Sequence, residues 1–495
     1  VKTIRIDPIT RLEGHGKIDI FLTDDGDVEN ALLQVPELRG FEQFVIGRHA
    51  EDMPVITNRI CGVCPEAHHM AAVKALDALF DVKPPPAAKL IRELIYAAFF
   101  VTDHATHFYA LGGPDFIVGP DAPPSERNIL GVIRKVGLEV GKKVIDCRRR
   151  NHDVIERLGG RGVHLAGGVP GGWSKAVPAA MREDLIRAGE ANIEFALFSL
   201  QAFRDLVLGN PASLELITSD LYLHRTHSMG TVDAKNRFNF FEGDIRVVDT
   251  DGAELLKYAP RDYATHLAER VETWSYLKYP YLKKVGWKGF VDGNDSGVYF
   301  ASPLARLNCA DAMPTPRAQE HFDELFTTLG SKKVAGRYAP VHHRMVTHWA
   351  RLVELLGAAE RFLEIARDEE LYSPDVRRIP ERCVGEGIGS VEAPRGTLTH
   401  HYKTDERGVI THANLIVGTT NNYAAMTMSV KRAAQQLIHK GKVVEEPLLN
   451  MIEMAFRLYD PCLSCATHAL PGKMPMTVTL RDPAGAAVRT FRREG

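Results

Sequence analysis

At 495 residues, with 45% hydrophobic and 25% charged side chains and a formal net charge of −2, the chain has the composition of a soluble globular protein. That length accommodates two to four average domains or one large layered one, and the near-neutral balance gives no basic face for nucleic acid or an acidic membrane surface. The most apolar windows, 94–101 and 193–203, are too short or too interrupted to span a bilayer.

The first residues alternate like a strand and carry no signal-peptide pattern. This points to the cytoplasm, unless a partner subunit carries an export signal for both. Strands are expected at 3–6, 16–22 and 31–35, the last two joined by a turn at Asp24-Asp25-Gly26. Between the first two lies a glycine-flanked loop, Arg11-Leu12-Glu13-Gly14-His15-Gly16. Residues 37–50, with Arg39, Glu42 and Phe44, read as helical. Cys61-Gly62-Val63-Cys64 follows on a loop, and Pro65, favoured at a first helical position, starts the next helix. Thiols just ahead of a helix N-terminus have depressed pKa values, which suits metal-binding thiolates.

Pro84-Pro85-Pro86 opens a long helix to about Leu111 that carries Asp103, His104 and His107. Another helix is expected over 126–158. The glycine-rich stretch 159–172 is a loop, without the leading strand and G-x-G-x-x-G spacing of a nucleotide fingerprint. Helix resumes over 178–208, residues 237–256 alternate as a hairpin turning at 249–252, and 280–312 read as irregular with short strands. Helices at 316–329 and 343–369 precede a hairpin over 389–417 turning at 405–408. Two more, 425–438 and 446–458, deliver the chain to Tyr459-Asp460-Pro461-Cys462-Leu463-Ser464-Cys465-Ala466-Thr467-His468. The tail, 475–493, reads as a last hairpin. The expected fold class is mainly α with peripheral β-hairpins (α+β). No repeat, low-complexity tract or long linker divides it, so 1–468 is expected to be one large domain.

Of seven cysteines, Cys147, Cys309 and Cys383 stand alone and read as buried small hydrophobes. Cys61, Cys64, Cys462 and Cys465 form two C-x-x-C pairs about 400 residues apart. One such pair fits half a zinc ribbon, a redox dithiol or chance; two together propose one site of four thiolates. Such a site suits zinc, an iron–sulfur cluster or a soft redox metal. Structural zinc pairs usually sit within some tens of residues and staple domains that lack a core. A closed staple also has no need of the ionisable residues Glu13, Asp103, Arg395, Asp460 and His468.

The motifs Arg59-x-Cys61-Gly62-x-Cys64-x-x-x-His68 and Asp460-Pro461-Cys462-x-x-Cys465-x-x-His468 closely resemble those of the large subunit of nickel–iron hydrogenases. Arg11-Leu12-Glu13-Gly14-His15, Arg39-Gly40-Phe41-Glu42, His107-Phe108-Tyr109 and Glu392-Ala393-Pro394-Arg395-Gly396 extend the resemblance, in the family's order, over nearly the whole chain. It implies that family's fold, shared with a complex I subunit, and reversible heterolytic cleavage of H2 to protons and electrons. It also implies a nickel on all four thiolates, Cys61 and Cys462 as terminal ligands and Cys64 and Cys465 bridging to an iron with carbon monoxide and cyanide, Fe(CO)(CN)2. Glu13 corresponds to the family's proton-relay glutamate. Arg395 corresponds to an arginine over the metal pair, working with Asp103 and Asp460, and His68 to a histidine near a bridging sulfur. Pro394 and Thr419 correspond to residues around the iron's diatomic ligands, Thr419 through a hydrogen bond to cyanide. Glu42, the Leu415 carbonyl and His468 correspond to a site for magnesium or a similar divalent cation. In many members a maturation endopeptidase cuts after that histidine. Here the chain runs on to Gly495, so 469–495 is either retained or marks a precursor.

The run 392–402, Leu304-Ala305-Arg306-Leu307-Asn308 and 462–470 look like cytoplasmic multisubunit (group 3) hydrogenases, which reduce viologens. Two branches fit, one coupled to heterodisulfide reductase and flavin-based bifurcation, the other NAD-reducing through a diaphorase; the first is preferred. A hydrogen-sensing regulatory hydrogenase shares the metal site, and a zinc-stapled scaffold would bind zinc alone. Complex I subunits lack the thiolate pairs. With its cysteines spent, the chain has no cluster motif for electron exit. An iron–sulfur small subunit is therefore implied as partner across a broad interface, with further electron-transfer subunits of heterodisulfide reductase or diaphorase type.

Overall fold

β1 (Lys2–Ile6), β2 (Lys17–Leu22) and β3 (Val28–Gln34) open the chain as an antiparallel sheet in that order, Ile18 and Ile20 facing inward. The computed structural model describes residues 2–334, 336–467, 476–481 and 487–493. The helix expected over 37–50 shrinks to α1 (Phe41–Phe44) and a 3-10 turn at Ala50–Asp52. Gly40 at φ 59° and Gly47 at φ 84° explain this, because a left-handed residue cannot continue a right-handed helix. α2 (Pro65–Leu79) starts where Pro65 predicts, with Cys64 as its N-cap.

The tri-proline run opens α3 (Pro86–Thr106), which passes into a π-helical turn, His107–Gly112. The single helix expected over 126–158 is two, α4 (Ile129–Val136) and α5 (Leu138–Gly159), parted by Gly137 at φ 94°. α6 (Arg182–Phe203) follows a glycine-rich loop that holds two-residue strands at Gly168–Val169 and Gly172–Trp173. β4 (His227–Val232), β5 (Asp244–Val248), β6 (Glu254–Tyr258) and β7 (Tyr299–Phe300) form a sheet ordered β7-β4-β5-β6. The expected hairpin is β5–β6. β4 is buried at every position and has no alternation to announce it. The stretch 280–312, read as irregular, contains α7 (Pro303–Cys309), buried all round and so without a polar face. α8 (Pro316–Thr328) and α9 (Thr347–Arg367) lie where helices were expected.

β8 (Glu386–Ala393), β9 (Gly396–Thr404) and β10 (Ile410–Ile416) make a three-stranded meander rather than one hairpin. The extra turn is Pro394-Arg395, across which Ala393 pairs with Gly396. β8 lies backbone to backbone on α2: a Cβ on Gly387 would stand 2.2 Å from Ala75 O, and one on Gly389 2.3 Å from Ala71 O. Glycine on the strand and alanine on the helix thus fix the first thiol pair relative to the Pro394-Arg395 turn. α10 (Tyr423–Leu437) and α11 (Glu446–Arg457) pack on each other and lead to the second pair, and the tail forms the expected hairpin, β11 (Met476–Arg481) with β12 (Ala487–Arg493). One apolar core draws on almost every element and includes all four paired cysteines. Cys147 and Cys309 are buried as expected, whereas Cys383 is only half-buried. Among the described residues, no helix is long and apolar enough to cross a membrane.

The core also encloses imidazoles. Burial holds His69, His104 and His342 down to about 4 and His348 to about 3. An unfolded chain protonates its histidines near pH 6.5. From there down to about pH 4 the unfolded state therefore binds more protons, and stability is lost as pH falls. The buried carboxyls of Glu66 and Asp460, raised to about 8 and about 7, act in the opposite sense but are fewer, so the unfolding midpoint in urea should still drop between pH 7 and pH 5. Imidazole resonances that titrate near pH 6.5 in the folded chain would show that these rings are not held neutral.

Candidate metal centre

Cys61 follows a 3-10 turn at Asn58–Ile60, Cys64 caps α2, and Cys462 and Cys465 bracket the entry to another 3-10 turn, Ser464–Ala466. Cys61 Sγ lies 3.3 Å from Cys462 Sγ, and Cys64 Sγ 3.9 Å from Cys465 Sγ. All four sulfurs fall within 4.8 Å of one another, buried and free of disulfides. No other group of three or more such ligands occurs among the described residues.

Four thiols so close and so dry cannot all ionise alone. Burial and the neighbouring sulfurs push Cys462 well above the usual thiol range, and burial does the same to Cys465. Cys462 and Cys465 pull Cys64 down, but Cys61 and burial together raise it to about 11. Burial opposes ionisation of Cys61 too, yet the other thiols and the Arg395 guanidinium hold it well below the ordinary range. Its sulfur also accepts the Val63 and Cys64 N–H groups, at 3.2 and 3.0 Å. Of the thiols ahead of α2, then, only Cys61 follows the expectation drawn from helix position. Four soft sulfur donors converging in an apolar pocket fit a thiophilic transition metal, whose charge supplies what joint ionisation needs.

Glu13 reaches this cluster because its loop runs parallel to the second pair. Leu463 N–H donates to Glu13 O at 2.9 Å, and Glu13 N–H to Pro461 O at 3.4 Å. The carboxylate Oε2 consequently stands 3.0 Å from Cys462 Sγ and accepts the Ser464 N–H at 3.2 Å, while the Ser464 hydroxyl bonds to Oε1. Gly14 makes the approach feasible: its φ is +87°, and a Cβ there would meet Ser464 N at 2.6 Å. Gly14→Ala is expected to cost about 1–3 kcal/mol of backbone strain and to lower metal content, read by denaturation and nickel analysis.

Arg395 occupies the tip of the β8–β9 turn. Its Nη1 is 3.1 Å from Asp103 Oδ1 on α3 and its Nη2 3.0 Å from Asp460 Oδ2. Arg351 on α9 brings Nη1 to 3.3 Å from the same Asp460 oxygen. Burial lifts the Asp460 carboxyl to about 7, against the pull of Arg395 and Arg351. Deleting one member of such a buried network typically costs about 3–5 kcal/mol. Thr419 Oγ1 accepts the Cys462 N–H at 3.0 Å, leaving its own proton to donate. His68 Nδ1 lies 3.1 Å from His400 Nε2, whose Nδ1 is 2.6 Å from the Tyr402 hydroxyl. His68 Nε2 is buried without a partner, and burial lowers the ring to about 4.

Glu42 is buried on α1, which packs against β10, the strand of Leu415. His468, the third residue of the expected cation site, lies outside the described residues. Sequence reasoning missed Arg351, Ser464, His400 and Glu66. Glu66 stands in plain view after Cys64-Pro65, but it reads as a helix start, not as a carboxyl that burial raises to about 8.

Profiles of known families agree with this geometry. The one described as nickel-dependent hydrogenase matches residues 39–122 and 235–468, and one described as HoxL-like matches 3–38. The chain is 47% identical over 492 residues to an F420-non-reducing hydrogenase iron-sulfur subunit of Archaeoglobus profundus, covering 99% of this chain and 100% of that one. It is 36% identical over 498 residues to the NAD-reducing hydrogenase HoxS subunit beta of Cupriavidus necator, with 98% of each covered. A solved NAD+-reducing [NiFe]-hydrogenase in the H2-reduced state superposes with a TM-score of 0.86 at 35% identity, covering 94% of this chain and 100% of that chain. A helix-rich fold closed around four cysteine sulfurs is here that of a nickel-dependent hydrogenase, an oxidoreductase. This chain belongs to that family as a large, catalytic subunit.

Proposed function

We propose that the chain, as one catalytic domain over 1–468, cleaves H2 reversibly into protons and electrons at a nickel–iron centre. The observation that carries this is the convergence of four buried sulfurs beside a carboxylate and a guanidinium. Cys61, Cys64, Cys462 and Cys465 would together hold the nickel and an iron bearing carbon monoxide and cyanide, with Cys61 and Cys462, the closer pair, as the nickel's own ligands and Cys64 and Cys465 as those shared with the iron. When bound, this centre polarises dihydrogen and takes up its electrons. Glu13 Oε2 receives the released proton across 3.0 Å from Cys462 Sγ, with Ser464 orienting the carboxylate. Arg395, fixed by Asp103 and Asp460, sets a positive charge over the pocket. Pro394 and Thr419, whose hydroxyl stands on the Cys462 N–H with its own proton free to donate, would face the iron's diatomic ligands, and His68 would tune a cysteine sulfur. Glu42 and the Leu415 carbonyl would, with His468, hold magnesium or a similar cation.

Electrons leave through an iron–sulfur small subunit. The exposed apolar side chains Leu38, Phe44, Ile46, Val55 and Val63, crowded into residues 38–63 beside the first thiol pair, suit such a partner. Beyond it we favour a cytoplasmic flavin complex of heterodisulfide reductase type, the branch preferred from the sequence motifs; the 47% identity to an F420-non-reducing relative, against 36% to the NAD-reducing one, speaks against NAD as the acceptor. The NAD-reducing reading, with a diaphorase-type partner, rests on that second relative. Infrared spectroscopy with nickel and iron analysis of the purified complex tests the site. Diatomic-ligand bands with one nickel per chain support it, and zinc without such bands refutes it. NAD+ reduction by hydrogen in that complex would overturn the preferred acceptor.

A further inference from the structure

Arg306 on α7 makes a set of contacts that the metal site does not require of it. Its Nε and Nη2 fork Glu354 of α9 at 2.7 and 2.6 Å, and Nη1 lies 3.4 Å from Glu392 Oε2. The remaining donations go to main-chain carbonyls: Nη1 to Ala393 O at 3.0 Å and Ala301 O at 3.2 Å, Nη2 to Pro394 O at 3.1 Å. Arg306, Glu354 and Glu392 are all fully buried. One guanidinium thus grips the carbonyls of the two residues that precede Arg395.

The turn it grips needs that support. Two-residue hairpin loops favour Asn-Gly or a leading Gly, because the matching turn types require positive φ at the first loop residue. Pro394 is locked near φ −65° and cannot supply it. The loop must therefore be held from outside. Asn422 Nδ2 secures the Arg395 carbonyl at 2.6 Å, and Arg306 secures the two before it. A fully buried ion pair adds little net stability compared with apolar packing, so the Arg306–Glu354 pair is poorly accounted for as a staple and well accounted for as a brace.

We infer that Arg306, oriented by Glu354, is a positioning residue that sets the Pro394-Arg395 turn and so aims the Arg395 guanidinium at the thiolate pocket. This rests on the role proposed above for Arg395. The test uses the assembled hydrogenase complex carrying Arg306→Lys, Arg395→Lys or both, selected for full nickel and iron content. Lysine keeps the charge beside Glu354 but cannot fork it and also reach both carbonyls. Arg306→Lys should lower viologen-linked turnover by about 10- to 100-fold and shift the infrared bands of the diatomic ligands. In the double variant the loss should not exceed that of Arg395→Lys alone, because the two act in series. Multiplying losses, or an Arg306→Lys enzyme with normal turnover and unmoved bands, would overturn the inference. Normal turnover in Arg395→Lys would instead overturn the role of Arg395 itself. If Arg306→Lys takes up no metal, Arg306→Gln with Glu354→Gln removes both buried charges together and carries the same comparison.

Discussion

Serine at Cys465 is expected to yield a folded subunit without nickel and a complex with no measurable hydrogen uptake. The same holds for Cys61, Cys64 and Cys462. Each sulfur is within 4.8 Å of the other three, so each faces a site whose charge and donor number depend on all four. A serine hydroxyl is a harder donor and stays protonated near neutral pH, so both affinity for a soft metal and charge balance fail together. Altering a mere partner of a ligand usually costs about 10- to 100-fold, so loss of the ligand itself should exceed about 10³-fold. The fold should survive, because a buried hydroxyl without a partner costs only about 1–3 kcal/mol and the apolar core extends through the whole chain. Nickel analysis beside a denaturation curve separates the two effects. Stoichiometric nickel with turnover within tenfold of the parent would show that the cluster is not the ligand set.

Legibility in the sequence follows locality. The thiol pairs and the proline-led helices were readable because short motifs and capping residues report on themselves, whereas Glu13 read locally only as a carboxylate on a glycine-flanked loop and was placed at the site by family resemblance alone. Gly137 and Gly47 were visible too, but nothing local says whether a glycine will take positive φ and stop a helix, as both do. Elements buried on every face were the ones lost: β4 and α7 show no period because neither has a solvent side. The Pro394-Arg395 turn escaped for a related reason, since β8 and β9 are both buried beside it and the turn lacks the usual residues. Arg351 and Glu354 belong to no motif. Their meaning comes from Asp460 and Arg306, 109 and 48 residues away, and only the folded chain brings those together.

Glu13→Gln is expected to leave nickel, iron and fold intact while cutting hydrogen–deuterium exchange by about 10²- to 10⁴-fold, the usual worth of a positioned proton-transfer group. The substitution is nearly isosteric. A glutamine oxygen in the Oε2 position still accepts the Ser464 N–H and its amide can donate to the Ser464 hydroxyl, while the parallel bridge between Glu13 and Cys462 is made by main-chain groups that the substitution does not touch. What disappears is a carboxylate oxygen able to take a proton 3.0 Å from that sulfur. Glu13→Asp makes the complementary case. It keeps the acid but withdraws it by about one C–C bond, roughly 1.5 Å, out of hydrogen-bond reach, so its exchange should fall between those of parent and glutamine variant. If the two variants lose exchange equally, the acid and its reach to the sulfur are both required at Glu13. If Glu13→Gln exchanges at the parent rate, the proton leaves by another group. The Asp103–Arg395–Asp460 set, buried on the same pocket, would then be the place to look.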